Sequence, residues 1–309
     1  MKTYISPLYR DLLLRHGLDT FDKLWDLPEH WVEDPNVRRG GWSGTSRHDM
    51  VDDEKEDFSV FVKRQENHNY RAFSSLFRRR PTFFRELSNT RRLERIGVPT
   101  VEPLFYDERR NGNKYQAVLA TRTLVGYKKL NSLLADPTLA PPLRVAILHR
   151  IAEVLQVMHR HRLHHNNMSG KHVLVKLEAD GSFDLRILDL ERMKRRWIPP
   201  DIAARDLAKF IRHTPALTPL EHAEVLRHYT RHWRPIRRIR LTRKINKRVA
   251  AKSSRSKSGS IVGSRRRNWR AFNLDVAWLC GFRDWTSKRN FSGALRRAAA
   301  SFLGYLTGC

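Results

Sequence analysis

Asp180-Gly181 stands between two apolar runs, residues 173–177 and 183–188. Such a pair specifies a tight hairpin, because aspartate and glycine accept the left-handed backbone that a short turn requires. A hairpin folds the chain back on itself. His172, at the start of the first strand, is therefore expected beside Asp189, at the end of the second. An imidazole and a carboxylate brought together at one end of a ribbon are candidate metal ligands. The rest of the chain has to be arranged around that end.

The chain reads as four segments. Residues 1–31 form an amphipathic helical extension, with Leu12, Leu13, Leu14, Phe21, Leu24 and Trp25 as its apolar side chains. Residues 32–125 are strands with one long helix. They open on Gly40, Gly41 and Gly44, a turn whose backbone can approach a ligand closely. A β-branched and aromatic strand over 59–63 follows and ends in Lys63. A helix over 82–96 carries Phe83, Phe84, Leu87 and Leu93 on one stripe, until Gly97 and Pro99 stop it. Glu86 lies in that stripe, where an unpaired carboxylate is costly, so it needs a buried partner. A further strand runs over 117–124. Residues 126–230 are mostly helical. They hold a helix over 143–161, the polar loop His165-Asn166-Asn167, and then the hairpin. Residues 231–309 form a basic tail.

In order along the chain stand a glycine turn, a strand lysine, a helix glutamate, a polar loop and an aspartate. Together they make a nucleotide site. Glycine amides cover phosphates, Lys63 pairs with phosphate oxygens, and Glu86 orients Lys63. A loop residue meets the acceptor hydroxyl, and two oxygen or nitrogen ligands hold Mg²⁺.

This order resembles the protein-kinase-like fold. More closely it resembles the lipopolysaccharide core kinases, the Kdo/WaaP kinases and within them the InaA-type proteins. The resemblance spans roughly residues 30–215. It rests on Gly40 to Gly44, Val62 to Asn67, Pro81 to Glu86, Gly97 to Pro103, His165 to His172, and Leu188-Asp189-Leu190-Glu191. It implies an α+β, bilobal fold with a small β-rich N-lobe and a mostly helical C-lobe, followed by the basic tail. It implies ATP and Mg²⁺ as cofactors, with Lys63 on the α/β-phosphates and His172 and Asp189 on the metal. It also makes Asp206 the brace of the catalytic loop and His165 a backbone-bracing residue of that loop, grouped with Asn167 as catalytic. Asn167 occupies the place of the catalytic aspartate. An asparagine accepts a hydrogen bond but takes no proton at neutral pH. Two readings stay open: a kinase that works by positioning alone, or a pseudokinase that binds nucleotide as a sensor or scaffold.

Charge bears on the partner. The chain carries 60 Lys and Arg against 32 Asp and Glu, a net +28. That balance fits a lipopolysaccharide or other anionic glycolipid substrate, an anionic membrane surface, or nucleic acid. Residues 231–270 hold sixteen Lys/Arg and no Asp/Glu. The serine-rich stretch from Lys252 reads as a flexible linker, and residues 292–306 as an amphipathic helix. The tail is thus a solvated extension, a membrane anchor or a nucleic-acid arm. Two cysteines, Cys280 and Cys309, exclude a disulfide framework and a cysteine-ligated zinc site. His159, His161, His164 and His165 straddle a helix end without an evident carboxylate partner, which argues against zinc there. No secretory core interrupts residues 1–17 and no spanning run of about 18 apolar residues occurs, so the expected place is the cytosol; the family resemblance adds a peripheral site on the inner face of the inner membrane.

Overall fold

The computed structural model describes residues 3–38, 40–51, 57–71, 79–196 and 202–256. The first lobe begins with β1 (Tyr4–Ile5), α1 (Arg10–Arg15) and α2 (Phe21–Trp25). Then come β2 (Asn36–Arg38), β3 (Gly41–Val51), β4 (Asp57–Glu66), β5 (Asn69–Arg71) and β6 (Arg79–Pro81). The helix α3 (Thr82–Arg95) and the strands β7 (Pro103–Asn111) and β8 (Lys114–Arg122) complete it. Six of these strands form one antiparallel sheet in the order β1-β7-β8-β4-β3-β2.

Each face of that sheet is covered by a different part of the chain. Alternation along β4 sends Val60 and Val62 to one face and Lys63 and Gln65 towards the other, across from Thr45 and Ser43. Val60 and Val62 pack under Leu12, Leu13, Phe21 and Leu24. Residues 1–31 are therefore not an appended extension. They close the outer face of the sheet, and β1 pairs with β7. Arg64 secures them, donating to the carbonyls of Trp25 at 2.7 Å and Leu27 at 2.6 Å. On the inner face, Phe83 and Leu87 of α3 pack on Tyr106, Ala117 and Leu119.

The second lobe contains β9 (Lys128–Lys129), α4 (Leu130–Ala135), α5 (Pro141–Arg160) and β10 (Leu163–His164). The hairpin follows as β11 (Val173–Leu177) and β12 (Phe183–Ile187), then β13 (Lys194–Arg195), α6 (Ile202–Arg212), α7 (Pro219–Tyr229) and α8 (Pro235–Ser256). Register in the hairpin pairs Val173 with Ile187, and Glu178 bonds Ser182 across a three-residue loop, 179–181, in which only Gly181 is left-handed. Gly181 has φ +84°. The two lobes meet where Thr100 bridges Ile187, and Thr100 Oγ1 donates to the Ile187 carbonyl at 2.8 Å.

The basic segment differs from its expectation. Residues 235–256 are helix, which takes in the first five residues of the stretch read as a linker, rather than the start of a tail. Leu241, Ile245 and Val249 recur every four residues and are buried in the C-lobe core with Leu207 and Phe210. High lysine and arginine content obscured this stripe in the composition. Residues 257–309, with the candidate amphipathic segment at 292–306, lie outside the described residues. Among the described residues no helix is long and apolar enough to cross a membrane.

Candidate active site

Lys63 projects from the inner face of the sheet and its ammonium pairs with Glu86 of α3. Glu86 is nearly buried, so this ion pair supplies the partner that its place on an apolar stripe demanded. Two further contacts position α3. Gln65, two residues beyond Lys63, accepts from Thr82 Oγ1 at 2.8 Å and from the Phe83 amide at 3.1 Å, satisfying the helix N-terminus. One turn after Glu86, the buried Asn89 donates from Nδ2 to the carbonyls of Leu190 at 2.8 Å and Met193 at 3.0 Å. The helix that carries Glu86 is thus tied to the turn that immediately follows Asp189. Gln65 and Asn89 were missed from the sequence. The available signal was a polar residue on the apolar stripe of α3, in phase with Glu86.

The hairpin brings His172 and Asp189 together, with Nε2 and Oδ2 3.5 Å apart. His172 Nδ1 donates to the Asn167 carbonyl at 2.8 Å, because that oxygen can only accept. The proton is thereby placed on Nδ1, and Nε2 is the nitrogen turned to Asp189. An imidazole nitrogen beside a carboxylate oxygen is a donor pair that a divalent cation takes. Asn167 donates from Nδ2 to the same Asp189 oxygen, which leaves its Oδ1 as an acceptor. Asn166 and Asp189 both hold left-handed backbone, at φ 63° and 58°. Asparagine and aspartate tolerate that conformation best among residues with a side chain.

Asp206 of α6 lies beneath the loop and is fully buried. Its carboxylate accepts from the His165 amide at 2.8 Å and the Asn166 amide at 2.9 Å. His159 Nε2 approaches at 3.2 Å and His164 Nε2 at 3.3 Å. Burial alone would raise its pKa. The hydrogen bonds from the two imidazoles outweigh that and hold the carboxyl well below the usual carboxylate range. His159 and His164 therefore do have a carboxylate partner, which the sequence did not reveal. They serve a buried anion, and among the described residues no cluster of three or more ligands could hold a metal.

His165 sits beneath the loop as a backbone-bracing residue. Its ring is fully buried, with Nε2 donating to the Leu188 carbonyl at 3.0 Å and Nδ1 accepting from the Asn167 amide at 3.2 Å. Burial pushes its pKa down, so it stays neutral. Both nitrogens are spent on backbone, and His165 positions Asn167 rather than touching a substrate. The glycines also divide. A Cβ at Gly41 would sit 2.5 Å from the Asn67 backbone, and one at Gly44 would sit 2.5 Å from the Trp31 ring. These two are glycines because the sheet packs closely there. Only Gly40, at φ +76° in the β2–β3 turn, has open space around it.

The model of the lipopolysaccharide kinase (Kdo/WaaP) family matches residues 22–229, the span that contains every residue of the site. Protein InaA of Escherichia coli (strain K12) is 30% identical over 181 residues, 58% of this chain and 80% of that protein. Among solved structures, WaaP in complex with acyl carrier protein aligns with a TM-score of 0.56 at 23% identity, over 84% of this chain and 99% of that one. That likeness shows the fold, two lobes of the kinase kind. With two-thirds of its length inside the family's bounds, the chain belongs to the lipopolysaccharide kinase (Kdo/WaaP) family, and as a member of a kinase family it uses ATP.

Proposed function

We propose that this protein transfers the γ-phosphoryl group of ATP to a hydroxyl of an inner-core sugar of lipopolysaccharide, working at the cytoplasmic face of the inner membrane. The observation that carries this reading is the continuous linkage from Lys63 through Glu86 and Asn89 to the Asp189 turn. An assembled lysine–glutamate pair is what a kinase needs before it can hold the phosphates of ATP in register. Lys63 binds the α/β-phosphates, and Gly40 belongs to the turn that would cover them. His172 Nε2 and Asp189 Oδ2 hold Mg²⁺, which when bound neutralises charge on the phosphate oxygens.

Asn167 Oδ1 accepts the hydrogen bond of the acceptor hydroxyl and aims its oxygen at the phosphorus. The P–O bond to ADP breaks as the new P–O bond to the sugar forms. The hydroxyl proton leaves late, to a phosphoryl oxygen or to water, because Asn167 takes none. Phosphoryl transfer through a loose transition state relies on positioning and electrostatics, which this arrangement supplies.

The test is transfer of ³²P from γ-labelled ATP to purified lipopolysaccharide core. Wild type labels the core, and Asp189→Ala lowers labelling by roughly a hundredfold or more, with its melting temperature retained. Equal labelling by the variant would remove Asp189 from the site. A wild type that binds ATP but labels nothing would give the pseudokinase reading its place.

A further inference from the structure

Beside the catalytic loop lies a cavity of about 520 Å³ that the proposed transfer does not use. Its walls include His164 and Asn166 from the loop region, Arg205, Lys209 and Arg212 from α6, and Arg248 from α8. Among the described residues, none that lines it is acidic. Arg205, Lys209 and Arg212 are spaced to share one face of α6, while Leu207, Phe210 and Ile211 bury the other. Asp206, the nearest carboxylate in sequence, is turned inward and occupied by the loop amides and two imidazoles. Like charges at this spacing repel and destabilise a helix. A cluster of them around one concavity is what an anionic ligand would stabilise.

The cavity is also joined to the reacting centre. Lys209 Nζ donates to the Asn166 carbonyl at 2.7 Å, and Asn166 precedes Asn167. The wall of the cavity and the residue that meets the acceptor hydroxyl are therefore one piece of backbone. We propose that this cavity is the subsite for an anionic substituent, a phosphate or carboxylate, of the acceptor glycolipid. Guanidinium groups bind either anion bidentately, which fixes orientation as well as affinity. Anchoring the acceptor there would set which hydroxyl reaches Asn167. The identity of the acceptor rests on the proposed function, whereas the anion-binding property of the cavity does not.

The test uses the full chain and a double variant, Arg205→Gln/Arg212→Gln. Calorimetric titration with deacylated inner-core oligosaccharide, without ATP, reads binding independently of turnover. Loss of two charged contacts should weaken it by about tenfold or more, with melting temperature and ATP affinity unchanged. The charge-retaining Arg205→Lys/Arg212→Lys variant should recover most of the binding, which separates charge from folding. An oligosaccharide stripped of phosphates and carboxylates should bind wild type and double variant alike. Where transfer is measurable, the double variant raises KM for the core and leaves kcat nearly unchanged. Equal oligosaccharide binding by wild type and double variant overturns the proposal, as does a wild type that binds none. Inorganic phosphate that binds as tightly as the oligosaccharide would overturn the acceptor assignment and leave a site for free phosphate. Absent transfer with charge-dependent oligosaccharide binding would overturn the kinase reading and keep the subsite.

Discussion

Asn167 and Asp189 share a hydrogen bond, and that contact explains why an asparagine suits this site. An aspartate at 167 would set two carboxylates against each other and raise the pKa of one of them. The amide instead donates to Asp189 and still offers an acceptor to a hydroxyl. Asp206 is a fully buried anion that two amides and two imidazoles approach. Removing its charge by Asp206→Asn should destabilise the protein by about 3 kcal/mol at neutral pH, since two imidazoles and two amides lose a buried anion. The effect has a pH signature. Burial opposes the charge, but the His159 and His164 hydrogen bonds prevail and depress the folded-state pKa. Its stabilisation is therefore complete above the unfolded carboxylate range near about pH 4, and is lost as pH falls towards the depressed folded value. Urea unfolding across that range should show the wild type converging on Asp206→Asn as the solution becomes acid. A gap that stays constant would mean that the carboxylate is not charged in the fold.

At the scale of elements, α3 is the part on which the site depends. Gln65 holds its N-terminus to β4, and Asn89 holds its middle to the turn after Asp189. Asn89→Ala leaves two buried carbonyls without their donor, at a cost of about 2 kcal/mol. Its more telling effect is on transfer. With α3 released from that turn, Glu86 no longer fixes Lys63 relative to Asp189, and kcat should fall by about tenfold or more while the lobe stays folded. Steady-state kinetics beside a melting curve would separate the two. A variant that loses stability but keeps kcat would show that α3 is held by other contacts. The helix was legible in the sequence from its stripe and its Gly97 stop. Its clamp was not, because Asn89 and Leu190 are joined only when the two lobes close on each other.

For the whole molecule, the net charge of +28 is concentrated enough to hide structure. The helix α8 is rich in lysine and arginine yet lays Leu241, Ile245 and Val249 on α6. Ile245 is fully buried, so Ile245→Ala should cost about 2–4 kcal/mol, measurable by thermal unfolding. A solvated tail beginning at 231 would predict no change. The N-terminal segment makes the same point at the other end of the chain, where Leu13 and Leu24 are as buried as any residue of the central sheet. Both ends of the described chain are parts of the lobes.

The amino-acid sequence by itself determined the hairpin and the apolar stripe of α3. The Asp180-Gly181 turn dictates a hairpin, and the hairpin dictates that His172 meets Asp189, because strand pairing is local and its register follows from the turn. The stripe on α3 likewise required a partner for Glu86, and Lys63 is that partner. Only the tertiary structure decided what depends on contacts between distant segments. It gave His159 and His164 a common carboxylate, assigned Gly41 and Gly44 to close packing, and drew α8 into the core. Each of these depends on which atoms lie across a packed interface, and a pattern of residue types along one strand or helix carries no record of that.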